Sequence, residues 1–217
     1  MSVSKTIVIS CAGMGTRLGI GTTKALVSVD GKPLIIRQLE LLGDYDDIRI
    51  VVGYQMEKVI ETVRAYRNDV LFVFNHNYRN TGTGGSFSLA MKHAREYIVP
   101  LDGDLLVHPE DLKMILESDG ECVCGAEPGT DNPMLMTTQT AADGRIYATG
   151  FSRERGEYEW TGLAQVRTDR LKPGQTHVCD MLEGLLPLPM VKIRTKEIDT
   201  MNDYRHAVEW IRNNYQD

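Results

Sequence analysis

Glycines and two cationic residues follow the first apolar run of the chain. Gly13, Gly15 and Arg17 come directly after that run, and Lys24 follows seven positions later. Glycines let a backbone approach a phosphate closely, successive free N–H groups bind anions, and a guanidinium matches phosphate oxygens. The spacing indicates a polyphosphate site, although glycine-rich turns after a first strand also occur in many α/β folds. A dinucleotide fingerprint is excluded, because its third glycine would replace Leu18.

Two carboxylates, Asp102 and Asp104, end another apolar run and are separated by one glycine. Ligands of open α/β sheets bind at the carboxyl ends of the strands, and carboxylate oxygens suit Mg²⁺. We expect the two side chains to point to opposite faces, so that only one aims directly into the site. We assign the metal to Asp104, because the chain turns apolar again at Leu105. A solvated turn is the alternative interpretation of this motif alone.

A third acidic position, Asp199, stands just before the last helical pattern of the chain. Its carboxylate would close the metal site from the side opposite Asp104. The neighbouring residues Thr200, Asn202 and Asp203 are typical of a helix N-cap. We expect such a cap whether or not Asp199 binds a metal ion.

The segment 157–160 combines two carboxylates with two aromatic rings. Both kinds of group attract a cation, which favours an acceptor that carries an ammonium group. Alternation along a strand predicts Tyr158 and Trp160 on one face and Glu157 and Glu159 on the other, so that only one pair faces a ligand. The alternative is a structural strand with its aromatic residues packed inward and its glutamates in solvent.

Strand and helix patterns alternate along the first half of the chain and position these residues. Strands are predicted at 6–10, 48–52, 70–74 and 98–101, and helices at 33–42, 56–66 and 87–97. After Ser118 we predict strands at 121–126, 135–138, 145–149 and 163–167, and helices at 178–185 and 203–213. The pattern predicts one α/β domain, residues 1–217, with a doubly wound mixed sheet that is mostly parallel. Residues 1–118 form its nucleotide-binding half, and residues 119–217 a smaller, β-rich acceptor-binding half.

Composition narrows the classes of partner. The 217 residues include 24 basic and 30 acidic side chains, a net charge of -6, which argues against nucleic-acid or anionic-membrane binding. The four cysteines lack a C-x-x-C pair and are expected to be reduced core residues. No apolar run approaches the roughly 18–20 residues of a membrane span. We therefore expect a cytoplasmic protein that binds neither nucleic acid nor membrane, with a homodimer left open.

Six short motifs occur in an order that points to a known family. They are ISCAGMGTRL at 9–18, TKAL at 23–26, DGKPL at 30–34, VVGY at 51–54, LDGD at 101–104 and EIDT at 197–200. Over nearly its whole length the chain resembles the sugar-phosphate and phosphocholine nucleotidyltransferases, which have a Rossmann-like fold. It departs from their usual pattern at Thr23, where the family has proline, and at Cys11, where it has alanine.

The resemblance implies a role for particular residues. Arg17 and Lys24 would be the catalytic cations that hold the triphosphate, and Asp104 and Asp199 would bind the cofactor Mg²⁺. The nucleotide-binding residues would be Cys11, Ala12, Gly13, Met14, Gly15, Thr16, Gly53, Tyr54, Thr81, Gly82, Thr83, Gly84, Gly85 and Asp102. From the 157–160 cluster, Tyr158, Glu159 and Trp160 are the predicted acceptor-binding residues.

The implied reaction is attack of an acceptor phosphate or phosphonate oxygen on the α-phosphorus of a nucleoside triphosphate, with release of pyrophosphate. The chain end 197–204 and the short length resemble cytidylyltransferases acting on phosphocholine or aminoalkyl phosphonates, which favours CTP. The stretch 82–85 resembles heptose- or hexose-1-phosphate enzymes that use GTP, UTP or dTTP, which is the alternative.

Two other classes of protein compete with this interpretation. A regulatory nucleotide-binding domain without catalysis is disfavoured, because Arg17, Lys24, Asp104 and Asp199 are all present. A nucleotide-sugar glycosyltransferase also uses two aspartates and a metal, often as D-x-D. The early glycine-rich loop disfavours it, because a glycosyltransferase needs no cradle for a triphosphate.

Overall fold

The computed structural model describes residues 4–215, and helices alternate with strands over the first half of that range. Its elements there are β1 (Lys5–Cys11), β2 (Ser28–Val29), β3 (Lys32–Pro33), α1 (Leu34–Leu41), β4 (Ile48–Val52), α2 (Met56–Arg64), β5 (Leu71–Phe74), α3 (Thr83–Ala90), β6 (Tyr97–Asp102), β7 (Leu105–Val107) and α4 (Pro109–Glu117). The second half contains β8 (Cys122–Ala126), β9 (Leu135–Thr140), β10 (Ile146–Ser152), β11 (Tyr158–Arg167), α5 (Val178–Leu182), β12 (Leu188–Lys192), β13 (Thr195–Glu197) and α6 (Met201–Asn214).

Within residues 4–215, one nine-stranded sheet crosses both halves in the order β5-β4-β1-β6-β11-β8-β12-β10-β9. Strands β5, β4, β1 and β6 are parallel, and β11 joins them antiparallel to β6. Two small antiparallel sheets, β2–β3 and β7–β13, lie beside it. The predicted mixed α/β sheet is confirmed.

The central strand β1 is buried on both faces, as its continuous apolar run predicts. Ile7 and Ile9 lie in one core cluster with Leu39 of α1 and Val59 of α2. Val8 points the other way and lies in a second cluster with residues of α3 and α5. Helices therefore cover both faces of the sheet, and its strand ends stay open for a ligand.

The strands of the second half form a closed cycle of pairings. Strands β11, β8, β12, β10 and β9 pair in a continuous cycle, because the first residues of β11 bond to β9 as well as to β8. Tyr158 and Glu159 lie at this seam, opposite Met136 and Leu135 of β9. The seam places the predicted acceptor segment beside the open end of the parallel strands.

Helix α3 differs from its prediction at 87–97, since it begins at Thr83, within the glycine-rich loop, and ends at Ala90. Gly84 and Gly85 are buried, and a Cβ at Gly84 would lie 2.8 Å from the His177 carbonyl oxygen. The helix starts early because glycines let it approach that segment closely, and such a helix lacks the polar face on which periodicity depends.

Several short elements are not predicted by the sequence pattern. Helix α4 begins with Pro109 in its first turn, and the His108 ring accepts a hydrogen bond from the Glu110 N–H. Strands β7 and β13 are three residues long, too short for alternation to show. None of the helices in the described range is long and apolar enough to cross a membrane.

The turn between β6 and β7 leaves no room for a side chain at Gly103. A Cβ there would lie 2.6 Å from the Ser10 carbonyl oxygen and 2.9 Å from Cys11 Sγ. Gly103→Ala should therefore lower the free energy of unfolding by about 1–3 kcal/mol, because the turn must move. Urea unfolding measures this change. Gly120→Ala is the matched control, since a Cβ there meets nothing within 4 Å, and equal losses in both variants would contradict the explanation.

Candidate active site

A cavity of about 410 Å³ opens at the carboxyl ends of β1 and β6. Its walls come from the loop after β1, the β6–β7 turn, the start of α3, the β8–β9 loop, β11 and the segment before α5. This is the edge at which open α/β sheets bind ligands. The volume lies within the usual range for small-molecule sites.

The glycine-rich loop folds tightly at Gly15. This residue has φ +61°, and a Cβ on it would lie 2.9 Å from the Thr22 carbonyl oxygen and 3.2 Å from Lys24 Cγ. The N–H groups of Gly13, Met14 and Gly15 donate to no acceptor within residues 4–215. Gly13 and Gly15 line the cavity, so unsatisfied donors lie at its edge where an anion would bind.

Thr23 directs Lys24 into the cavity. Its backbone has φ -64° and ψ 143°, and proline fixes φ at about the same angle. The Thr23 hydroxyl also donates to the Cys11 carbonyl oxygen at 3.4 Å. Threonine at this position therefore adopts the backbone conformation that the family's usual proline would impose.

Lys24 lies between two predicted metal ligands. Its Nζ is 2.5 Å from Asp104 Oδ2 and also contacts Asp199 Oδ1. Arg17 Nη1 is 2.7 Å from the other oxygen of Asp199. The Lys24 and Asp199 side chains are only 14% and 12% exposed, whereas the Arg17 side chain, although paired with Asp199, is 68% exposed. Four residues predicted from separate motifs thus meet at one point.

Pairing of β7 with β13 brings the two aspartates together across the chain. Leu105 lies opposite Glu197, and the Ile198 N–H donates to the Asp104 carbonyl oxygen at 3.2 Å. The same pairing brings in Glu197, which was not predicted as a site residue. Thr200 caps α6 as expected, in a reciprocal capping box with Asp203. The strand β13 before Asp199 and the N-cap of α6 after it therefore fix the position of Asp199.

The donor set fits a hard divalent cation. Carboxylate oxygens of Asp104, Glu197 and Asp199 lie within 4.8 Å of one another. Burial and the neighbouring Asp104 raise the pKa of Glu197 to about 7. Burial and Asp104 also raise the pKa of Asp102 well above its usual range. Such crowding of carboxylates suits Mg²⁺, provided that the Lys24 ammonium moves away from them.

Asp102 and Asp104 both line the cavity, so the expectation that only one of them can face the site is wrong. Residues two apart along a strand share a face, and β6 moreover ends at Asp102. Gly162 of β11 covers Asp102, with φ +79° and no space for a Cβ beside the carboxylate. The two carboxylates consequently share one environment.

The predicted nucleotide-binding residues divide into two groups. Those that line the cavity are Cys11, Ala12, Gly13, Gly15, Thr16, Thr81, Gly82, Thr83 and Asp102. Those that do not are Met14, Gly53, Tyr54, Gly84 and Gly85. The second group stands behind the wall or outside it. Met14 is exposed, and the Tyr54 N–H supports the loop by donating to the Ala12 carbonyl oxygen at 3.1 Å.

Among the predicted acceptor residues, Glu159 and Trp160 line the cavity and Tyr158 does not. Glu159 Oε2 accepts hydrogen bonds from the Gly129 and Thr130 N–H groups at 2.7 and 3.2 Å, and the Thr130 hydroxyl donates to Oε1. The expectation that only one face can reach a ligand is wrong here, because the β8–β9 loop extends the wall to the Glu159 side. Glu159 holds that loop in place.

Other lining residues were not singled out by the sequence. Tyr78, Arg153 and His177 lie in irregular segments, and Ser86 and Cys179 lie in α3 and α5. Arg153 adds a cation to the cavity lining, and its guanidinium donates to the Asn132 carbonyl oxygen. Buried Asn75 lies behind the wall and donates to Thr81 and Ser86 at 3.0 and 2.9 Å. Only the tertiary structure identifies these residues as part of the cavity lining or its support.

Sequence comparisons identify relatives. A family model described as "MobA-like NTP transferase domain" matches residues 7–164. Bifunctional protein GlmU from Wolinella succinogenes is 30% identical over 153 residues, which are 69% of this chain and 33% of the relative. GlmU from Aliarcobacter butzleri is 33% identical over 111 residues, or 50% of this chain and 26% of the relative. The chain thus spans about a third or less of these relatives' length.

Solved structures share the fold. CTP:phosphocholine cytidylyltransferase (LicC) from Streptococcus pneumoniae has a TM-score of 0.74 at 23% identity, covering 96% of this chain and 100% of that one. The inositol-1-phosphate CTP transferase from T. maritima has a TM-score of 0.75 at 14% identity, covering 97% of each. HddC from Yersinia pseudotuberculosis, complexed with GMP-PN, has 0.69 at 20% identity, covering 96% and 100%.

Lys24→Met removes the ammonium that competes with a metal ion for Asp104 and Asp199. We expect the nucleotide-free variant to bind Mn²⁺ about tenfold more tightly than the unaltered protein, about 1.4 kcal/mol, although turnover falls. Calorimetric titration with Mn²⁺ measures the affinity. Lys32→Met, which removes a surface pair with Glu40, is the control. Unchanged or weaker Mn²⁺ binding by Lys24→Met would show that the lysine and the metal do not share a position.

Proposed function

The chain belongs to the MobA-like NTP transferase family, and on that premise we propose that it transfers a nucleotidyl group from a nucleoside triphosphate to a small phosphorylated or phosphonate acceptor. The observation that carries this proposal is the contact of Lys24 with both Asp104 and Asp199. It brings a triphosphate-binding cation and the metal-ligand candidates together at the open end of the sheet. Pyrophosphate is the second product.

The chain's own residues supply binding and orientation. Free N–H groups of the Gly13–Gly15 loop bind phosphate oxygens, and Arg17 and Lys24 neutralise the departing pyrophosphate. To do so, Lys24 exchanges its carboxylate partners for phosphate oxygens. An acceptor phosphate is already ionised at pH 7, so no side chain has to remove a proton. Catalysis then rests on positioning and on preorganised charge.

Asp104, Glu197 and Asp199 are the residues that would hold Mg²⁺. When bound, the metal supplies positive charge where the α-phosphate and the acceptor oxygen meet. Asp102 lines the same cavity beside Asp104, and its raised pKa reflects the crowding of carboxylates that a cation would relieve. The extra ligand Glu197 is part of this proposal together with the two aspartates predicted from the sequence.

A side cavity supports an acceptor with a cationic head group. It measures about 90 Å³ and shares Thr130, Glu159, Trp160, Thr161 and Glu197 with the main cavity. Its other charged lining residues are Glu127, Lys196, Asp203 and His206. Carboxylates therefore outnumber cations around a space the size of a small head group. We place the acceptor phosphate near Asp104 and Asp199 and its tail in the side cavity.

Within that cavity, the Trp160 ring suits a cation better than Glu159 does. Glu159 already accepts three hydrogen bonds from the β8–β9 loop. The Trp160 ring lines the cavity and is held edge-on by Phe151, with the two ring centroids 5.6 Å apart. Phosphocholine and aminoalkyl phosphonates combine a phosphate or phosphonate with such a head group.

We propose CTP as the nucleotide. Two of the structural neighbours that match over nearly their full length are named as CTP-dependent transferases, one acting on phosphocholine. The alternative is a sugar-1-phosphate nucleotidyltransferase that uses GTP, UTP or dTTP. It draws support from the neighbour solved with GMP-PN and from the similarity of residues 82–85 to that group. The glycosyltransferase alternative loses support, because the matching family consists of NTP transferases.

Transfer activity is tested by pyrophosphate release from CTP, UTP, GTP and dTTP with a panel of phosphorylated amines, phosphonates and sugars. Asp104→Asn and Asp199→Asn should lower kcat by at least about 10²-fold without unfolding the protein, because each removes a metal ligand. Asp143→Asn, in an exposed turn, is the control. Full activity in EDTA would contradict metal dependence, and no release from any pair would contradict the transferase assignment.

The acceptor's head group is tested with Trp160→Leu. Loss of the ring should raise the KM for phosphocholine about 2- to 30-fold, from about 0.5–2 kcal/mol for a cation–π contact, and leave the KM for the triphosphate unchanged. Tyr158→Phe is the control, because Tyr158 is a neighbour on β11 that does not line the cavity. A neutral sugar phosphate that turns over faster than any phosphorylated amine would favour the sugar alternative.

A further inference from the structure

A buried glutamine of α1 contacts the turn that carries Asp104. Gln38 is 3% exposed, and its Nε2 donates to the Asp102 carbonyl oxygen at 2.7 Å and to the Leu105 carbonyl oxygen at 2.8 Å. These two carbonyls flank Asp104 on either side. Among the described residues, no other side chain bonds to the backbone of this turn. Gln38 thus connects a helix of the core directly to the site.

Backbone bonds complete the support of the same turn. The Gly103 N–H donates to the Ser10 carbonyl oxygen at 3.1 Å, and the Ile198 N–H donates to the Asp104 carbonyl oxygen at 3.2 Å. These bonds join the turn to β1 and to the segment of Asp199. Gln38 holds the turn from a third side, that of α1. With three sides fixed, the backbone that carries the Asp104 carboxylate is held in one position relative to Lys24 and Asp199.

The glutamine has an energetic cost that an apolar residue would avoid. Its Oε1 is buried without a hydrogen-bond partner in the described part of the chain, which lowers the free energy of unfolding. Other buried residues of α1, such as Leu34, Ile35 and Leu39, are apolar. An apolar residue at 38 would instead leave the two carbonyls without this donor. The amide is therefore suited to holding the turn and poorly suited to filling the core.

We propose that Gln38 is a positioning residue for a divalent cation at Asp104, Glu197 and Asp199. It acts by holding the 102–105 backbone, and through it the Asp104 carboxylate, in the geometry that the cation requires. The proposal rests on the metal-dependent transfer described above, but it concerns metal binding by the nucleotide-free protein. Loss of a residue that orients a metal ligand typically weakens metal binding by about 10- to 100-fold.

The chain contains a matched control for this residue. Gln165 of β11 is fully buried, and its Nε2 donates to the Ser118 and Gly120 carbonyl oxygens at 3.0 and 2.7 Å. Its Oε1 is likewise buried without a partner in the described range. Gln165 does not line the cavity. Gln38→Met and Gln165→Met therefore remove the same chemistry at two places, only one of which touches the site.

The experiment measures Mn²⁺ binding by nucleotide-free protein, together with urea unfolding. Both variants should lose stability, but only Gln38→Met should raise the Kd for Mn²⁺, by about tenfold or more. In the transfer assay its kcat should recover at high Mg²⁺ concentration. Urea unfolding checks that the variant is fully folded before Mg²⁺ is added, because metal binding would also refold an unfolded fraction. If Gln38→Met does not fold, Gln38→Glu replaces it, because burial keeps the carboxyl neutral and it then offers one O–H donor in place of the amide's two N–H donors.

Unchanged Mn²⁺ affinity in the Gln38 variant, or equal weakening in the Gln165 variant, would overturn the proposal. Absence of Mn²⁺ binding by the unaltered protein would overturn it as well. Failure of the proposed function is a separate result, since it appears as no pyrophosphate release by the unaltered protein. Metal binding in the absence of nucleotide does not depend on that result.

Discussion

The site depends on the ion pairs that the Lys24 ammonium forms with Asp104 and Asp199. The ammonium contacts one carboxylate from the β6–β7 turn and another from the segment before α6, which are 95 residues apart in the chain. Without a cation among them, Asp102, Asp104, Glu197 and Asp199 would repel one another in a partly buried space. The lysine compensates this charge in the nucleotide-free protein. The same compensation makes exchange of the lysine for a metal ion and a triphosphate energetically reasonable.

Backbone geometry places the lysine. Gly15 allows the loop to pass within contact distance of Lys24, and Thr23 has the φ angle of a proline. The opposing carboxylates depend on the β7–β13 pair and on Gln38 below the turn. Rigid elements thus support Lys24, Asp104 and Asp199, whereas Arg17 pairs with Asp199 through a side chain that is mostly exposed.

The cavity wall that carries Glu159 and Trp160 is built differently from the wall that carries Lys24. A closed cycle of strands carries Glu159 and Trp160, and Glu159 ties the β8–β9 loop to that cycle. The loop and Arg153 then complete a wall for which irregular backbone supplies most of the residues. Because a loop can change length and sequence without disturbing the strands, this wall is where the choice of acceptor would be made.

The sequence by itself determined the residues that could do chemistry and the class of fold. Buried parallel strands appear as apolar runs, and Arg17, Lys24, Asp104 and Asp199 lie in short motifs whose order is recognisable. These signals are local, so they can be read along the chain. Strand ends, the short β7 and β13, and the true start of α3 were missed, since three-residue strands and helices packed through glycines show no periodicity.

Only the tertiary structure decided which of these residues meet. It brought Glu197 into the carboxylate cluster and put both Asp102 and Asp104 on the cavity. It also showed that four predicted residues do not line the cavity, namely Gly53, Tyr54, Gly84 and Gly85. Glu159 proved to accept a hydrogen bond from the β8–β9 loop. The physical reason is that such contacts join segments distant in sequence. Their geometry depends on strand pairing and on close packing, and neither can be predicted from the residue type at any single position of the chain.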